Sequence, residues 1–205
     1  MSPRLNKIAR RLYESAPQYL NKIARRLYER ALELDSLKFG EFVLSSGQKS
    51  SYYFDGRMLS TDPEGADLIS RAFSFVIDEF HVDAFGGPSV AAVPIVGSLA
   101  LRFHLEGKTN TGFFVRPEAK EHGVGKQIEG NLKPGMRVAV FDDTVSTGGS
   151  LFKAIDAVQE FGCTVVIVMA VLDRHQGGGK ELERRRIPFF KLWESTPEGE
   201  ITVVV

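Results

Sequence analysis

The sequence contains a single cysteine, Cys163, in 205 residues. That excludes a disulfide framework and makes a reducing compartment such as the cytoplasm the expected setting. Its place directly before the apolar run Val165–Val168 suits a small side chain packed in a strand. Net charge is missing as well: 26 basic residues balance 26 acidic ones. No bulk field therefore draws the chain to nucleic acid or to an anionic membrane, and any anion site has to be local. No apolar run approaches the roughly 20 residues of a membrane span, and no secretory apolar stretch follows Met1. Two glycine-rich nucleotide signatures are absent too, since the full G-x-x-x-x-G-K-[ST] phosphate loop and the G-x-G-x-x-G fingerprint are both missing.

The residues that are present suit a soluble globular chain, with 43% hydrophobic and 25% charged, and the length suits one sizeable core with some decoration. The N-terminus repeats itself: "LNKIARRLYE" stands at residues 5–14 and again at 20–29. Each copy sets Leu, Ile, Ala and Leu at i, i+3, i+4 and i+7, the period of an amphipathic helix, and Ser15-Ala16-Pro17 interrupts between them. Two short helices are expected. Stacking repeats need about three or more units, so no solenoid follows. Glu14 and Glu29 mark the Arg-rich face as a solvated surface rather than a presequence or a membrane-lying helix. The expected division is an extension at 1–19 and one domain at 20–205, with a small hood over about 20–60 and a core over about 61–193.

Strands are expected at Phe42–Leu44 and Ser51–Phe54, around the turn "SSGQKS". A helix follows, capped by Asp62, opened by Pro63 and carrying one apolar face from Leu68 to Phe80. Strands and helices then alternate: "VDAFGG" as a strand, "SVAAVPIVGSLALRF" as a mostly buried helix disturbed by Pro94, and "TGFFV" as a strand. The polar stretch 116–135 shows neither period 2 nor period 3.6 and reads as a long loop, a lid. Beyond it are expected strand Met136–Phe141, a helix over Ser150–Phe161 closed by Gly162, strand Thr164–Leu172, a short charged helix near Lys180–Arg186, strand "FFKLW", and an edge strand in "ITVVV". Near-continuous apolar strands spaced by helices imply an α/β fold: a central parallel sheet flanked by helices.

The chemistry concentrates in "VAVFDDTVSTGGSLFKAIDAV", residues 138–158. An apolar strand runs into Asp142–Asp143, then into small hydroxyl and glycine residues, and only then into a helix. In open α/β sheets, ligands bind beyond the carboxyl ends of strands. Ser146-Thr147-Gly148-Gly149-Ser150 can wrap an anion with backbone N–H groups and hydroxyls, at a helix N-terminus that favours negative charge. The carboxylates would repel that anion, so they face another part of the ligand, such as vicinal hydroxyls that donate to ionised acceptors. A sugar phosphate satisfies both halves.

This stretch is similar to the phosphoribosyl-pyrophosphate (PRPP) motif of the type I phosphoribosyltransferases. Three more segments resemble orotate phosphoribosyltransferase: "LKFGEFVLSSGQKSSYYFD", "VRPEAKEHGVGKQIEG" and "VLDRHQGGG", in the right order over about residues 22–193. The resemblance implies a type I phosphoribosyltransferase-like fold with an N-terminal hood, and transfer of the phosphoribosyl group from PRPP to orotate. It implies that Asp142 and Asp143 hold the ribose hydroxyls. The loop Thr144, Val145, Ser146, Thr147, Gly148, Gly149 and Ser150 would hold the 5′-phosphate, with Ser146 also near the base. Arg174 would meet orotate's anionic edge, and the backbone at Tyr53 and Phe54 would flank the ring. Gly86-Gly87-Pro88 would open the loop that touches pyrophosphate. Arg116, Lys120 and His122 would neutralise the leaving pyrophosphate, with Lys120, His122 and Asp143 as the catalytic set. It further implies a homodimer whose lid residues act in the neighbouring subunit's site, and Mg²⁺ carried in on PRPP rather than bound directly by the protein. The chain departs from the family's usual lysines at Ser45 and Pro117, and from a Tyr-Lys pair at Val90-Ala91. Another base, or a regulator that binds PRPP with little turnover, stay open as alternatives.

Overall fold

The structure, a computed structural model, describes residues 18–43, 47, 49–118 and 127–205. The second copy of the duplicated segment lies within helix α1 (Gln18–Glu33), which buries Leu20, Ile23, Ala24, Leu27 and Ala31 along one stripe. Each buried leucine contributes about 1.5–3 kcal/mol. The stripe is pinned where Trp193 donates its indole N–H to the Ala24 carbonyl at 3.0 Å. The first copy lies outside the described residues.

A two-stranded antiparallel hood follows, β1 (Leu37–Val43) and β2 (Lys49–Phe54). Both strands begin earlier than the expected Phe42–Leu44 and Ser51–Phe54. The register shifts between Phe39 and Phe42, and this bulge at Gly40 breaks the alternation that would have marked β1 in the sequence. Asp55 then caps a short helix, α2 (Gly56–Ser60), that the sequence pattern did not suggest. Helix α3 (Pro63–Glu79) forms as expected, with the Asp62 side chain accepting from the Gly65 N–H at 2.9 Å and an apolar face running from Leu68 to Ile77.

The remaining strands are β3 (Ala84–Pro88), β4 (Thr111–Val115), β5 (Ile128–Gly130), β6 (Arg137–Val145), β7 (Thr164–Asp173), β8 (Phe189–Ser195) and β9 (Ile201–Val203). They form one sheet in the order β5-β4-β3-β6-β7-β8-β9, parallel from β4 to β8, with β5 and β9 pairing antiparallel at its two edges. Between them run α4 (Ala92–Leu105), α5 (Gly149–Glu160) and α6 (Gly178–Arg184). Alternate residues of β6 feed two cores. Ala139 and Phe141 pack with α1, α3 and α4, and Val138 and Val140 pack with α5 and α6. The sheet is thus covered on both faces, as its near-continuous apolar strands require.

Three expectations are corrected. Pro94 does not disturb α4: it is the third residue of the helix, where an N–H would have no intrahelical acceptor anyway. Nor is that helix mostly buried, because Ile95, Leu99 and Phe103 face the core while Leu101 and Leu105 are exposed. The stretch read as a loop contains β5, whose three residues are too few to show a period.

The chain builds the sheet outward from β3 to β4, then returns to place β6 on the other side of β3 and builds outward again. The switch point lies between β3 and β6. There β3 pairs with β6 only as far as Gly86–Val140, while β6 continues to Val145 along β7. The overhang opens a crevice at the carboxyl ends, which is where ligands bind in such sheets.

Candidate active site

Asp142 and Asp143 lie on that overhang, inside β6 rather than beyond its end, because pairing with β7 holds the strand as far as Val145. They line a cavity of about 480 Å³ together with Thr144, Ser146, Ser150 and Arg174. The cavity's other walls are the β2–α2 corner from Tyr53 to Arg57, and Val90–Ala91 after β3.

Asp142 is 6% exposed. It accepts from the Asp143 N–H at 3.0 Å and from the Ser150 hydroxyl at 3.3 Å. Burial, followed by the neighbouring charge of Asp143, pushes its carboxyl up to about 7. Burial raises Asp143 as well. Two carboxylates under this pressure are stabilised when a ligand donates hydrogen bonds to their ionised form.

The next turn is shaped by Gly148, at φ 83°, and α5 starts after it without any side-chain cap. A Cβ at Gly148 would lie 2.4 Å from the Phe152 ring, so glycine is required on both counts. The first N–H groups of α5 are left for an anion to satisfy. Of the predicted loop, Thr144, Ser146 and Ser150 line the cavity. Val145 is buried within β6, and Thr147, Gly148 and Gly149 shape the turn.

Arg174 also lines the cavity. Its backbone N–H donates to the Val145 carbonyl at 2.8 Å, and Gly178 N–H donates to the Ser146 carbonyl at 2.9 Å, so the arginine loop is tied to the glycine turn. The guanidinium stands over the Tyr52 ring at 5.2 Å and donates from Nη2 to the Phe54 carbonyl at 3.4 Å. Its Nε is buried with no hydrogen-bond partner. A structural ion pair with Asp173 would have explained the arginine, but Asp173 is taken by Lys191 at 2.8 Å and by the His175 N–H at 2.9 Å. A buried donor left unpaired costs about 1–3 kcal/mol. An acceptor on a ligand would relieve that cost.

Tyr52 and Phe54 are buried and belong to the core, whereas Tyr53 points outward and packs on Phe42 with ring centroids 5.8 Å apart. Of the three, Tyr53 and Phe54 line the cavity. Gly86, Gly87 and Pro88 are strand residues of β3. A Cβ at Gly87 would lie 1.9 Å from the Phe141 carbonyl oxygen, so this glycine permits close strand approach. Arg116 does not reach the cavity: it sits beside the sheet-edge strand β5, 3.7 Å from Glu129. Lys120 and His122 lie outside the described residues.

Sequence reasoning missed Asp55, Gly56 and Arg57. The signal was "DGR" directly after the strand, where Asp55 could cap a helix start. A larger cavity of about 1290 Å³, lined by Phe42, Lys49, His175 and Lys180 among others, shares only Arg174 with the first. It lacks both the paired carboxylates and the glycine turn, so the chemistry belongs to the smaller one. Among the described residues no cluster of three or more Asp, Glu, His or Cys side chains could hold a metal ion. A divalent cation at Asp142–Asp143 would draw most of its oxygen ligands from a bound substrate.

Comparison with known proteins agrees with this geometry. Residues 56–188 match the phosphoribosyl transferase domain family. The orotate phosphoribosyltransferase of Aquifex aeolicus is 42% identical over 168 residues, covering 80% of this chain and 92% of that one. The orotate phosphoribosyltransferase of Mycobacterium tuberculosis superposes with a TM-score of 0.71 at 32% identity, over 82% of this chain and 94% of that one. The same M. tuberculosis enzyme in complex with PRPP superposes with a TM-score of 0.68 at 29% identity, over 82% and 94%. The match over most of both chains settles the lineage: this chain is a member of the orotate phosphoribosyltransferase family.

Proposed function

We propose that the chain makes orotidine 5′-monophosphate and pyrophosphate from orotate and PRPP, a step of pyrimidine nucleotide biosynthesis, in the cavity at the β3–β6 switch point. One observation carries the reading: an arginine with a buried, partnerless nitrogen and a carboxylate pair, Asp142 buried and Asp143 half-buried, line a single cavity. Orotate's carboxylate suits the first, and ribose hydroxyls suit the second.

In this reading Asp142 and Asp143 orient the ribose by accepting from its hydroxyls. Thr144, Ser146 and Ser150, with the backbone from Val145 to Gly149, hold the 5′-phosphate. Arg174 draws orotate's anionic edge against the backbone of Tyr53 and Phe54, so that a ring nitrogen faces the anomeric carbon. The bond from that carbon to pyrophosphate breaks as the bond to nitrogen forms, and the proton on that nitrogen leaves to solvent or to the departing pyrophosphate. Positive charge grows on the sugar and negative charge on the leaving group. The buried carboxylates face the first of these. Magnesium carried on PRPP would supply charge neutralisation at the diphosphate.

Lys120, His122 and Arg116 are assigned to the departing pyrophosphate. Arg116 stands away from its own cavity, which favours a lid that serves the neighbouring copy's site in a homodimer. Closure would exclude water that competes with the base as nucleophile. Residues 20–60 act as hood over a core at 61–193, with 1–19 as an extension, and a cytoplasmic setting fits the single reduced cysteine.

The test is a steady-state assay with orotate and PRPP, with and without Mg²⁺. Formation of orotidine 5′-monophosphate that depends on both substrates is expected. PRPP binding without product would leave a regulator, and activity only with another base would reassign Arg174.

A further inference from the structure

The proposed reading takes up most of the residues that line the cavity. The ribose lies over Asp142–Asp143, its phosphate in the turn after them, and the base toward Arg174. The group leaving the anomeric carbon therefore points to the lining left over, Val90–Ala91 and Asp55–Arg57. Val90 and Ala91 bring no charge to it. Among the described residues lining the cavity the cations are Arg57 and Arg174, and Arg174 is committed at the base end by Tyr52 and the Phe54 carbonyl.

Arg57 is placed there by construction of the corner. A Cβ at Gly56 would lie 2.6 Å from the Asp143 Cβ, so α2 starts in direct contact with the ribose carboxylate, and it packs against both β6 and α4. Asp55 caps α2 through the Arg57 N–H at 3.0 Å and also clamps the guanidinium, accepting from Nε and Nη2 at 3.0 Å each. The clamp holds a side chain that is otherwise 61% exposed. Nη1 is left without a bond among the described residues. An exposed surface arginine needs no such anchoring, whereas one that must meet a phosphate oxygen does.

Resting on the proposed orientation of PRPP, we propose that Arg57 is the cation this site sets against the diphosphate, held in place by Asp55. It would contact pyrophosphate both in the substrate and as it leaves, from the same subunit as the carboxylates and independently of the lid.

The test uses the full chain and three probes titrated by calorimetry: PRPP, magnesium pyrophosphate and ribose 5-phosphate. Arg57→Met is expected to weaken PRPP and pyrophosphate about tenfold or more and to lower kcat, with ribose 5-phosphate changed less than about twofold and the melting temperature retained. Arg57→Lys should recover part of the loss. Pyrophosphate affinity in Arg57→Met equal to the parent's overturns the proposal. So does an equal weakening of ribose 5-phosphate, which would reveal a merely structural role for the corner. A parent protein that binds neither PRPP nor ribose 5-phosphate overturns instead the orientation on which the proposal rests, and the proposal with it.

Discussion

The two arginines that line the cavity are held in opposite ways. Arg174 lies in the loop after β7, stacked on Tyr52, with a buried nitrogen that finds no partner in the protein. Arg57 is largely exposed and its charge is already answered by Asp55. A buried, unsatisfied donor binds one acceptor strongly and rejects ligands that lack it, because the cost of desolvation is relieved only when the acceptor arrives. A clamped, solvated arginine does less for selection, yet it can meet a charge that moves. In the proposed function, recognition of the base falls to the dry end and handling of the leaving group to the wet end.

The largest effect that could break this contrast is expected from Arg174→Met. Loss of charge-assisted contacts worth about 1.5–3 kcal/mol each should lower kcat/KM for orotate about a hundredfold, while PRPP binding is kept. The ligand-free protein should not lose stability, because the substitution removes an orphaned buried donor. A matching fall in melting temperature would make Arg174 structural. Arg57→Met comes next, with its roughly tenfold effect confined to the diphosphate. The smallest effect concerns pH. With Asp142 raised to about 7, PRPP affinity should climb severalfold from about pH 6 to 8 as the carboxylate ionises, and Asp142→Asn should remove that part of the climb. Stability of the free protein runs the other way. The folded state holds a proton that the unfolded state releases near pH 4, so stability falls as pH rises from about 4 to 7. A melting temperature that rises over this range in the parent relative to Asp142→Asn would contradict the assignment.

Much of this was legible in the residues, and the limits have physical causes. Asp142–Ser150 announced itself because an apolar strand, two acids and a glycine turn have no common structural use together. Helices α1 and α3 were legible from unbroken apolar stripes and, in α3, from its cap. What escaped was local and short. β5 has three residues, β1 is bulged at Gly40, and α2 is a single turn whose purpose lies in contact with Asp143 rather than in its own pattern. Arg57 escaped for the same reason: its relevance comes from a long-range approach that only the missing Cβ of Gly56 permits. The state of Arg174 was equally hidden, since "LDR" reads as a local ion pair until Lys191, from the next strand, takes the aspartate.

The most direct measurement is a crystal structure of the protein soaked with ribose 5-phosphate. The account predicts sugar hydroxyls on Asp142 and Asp143 and the phosphate against the backbone from Ser146 to Ser150. Density for the ligand elsewhere, with that turn empty, would contradict it.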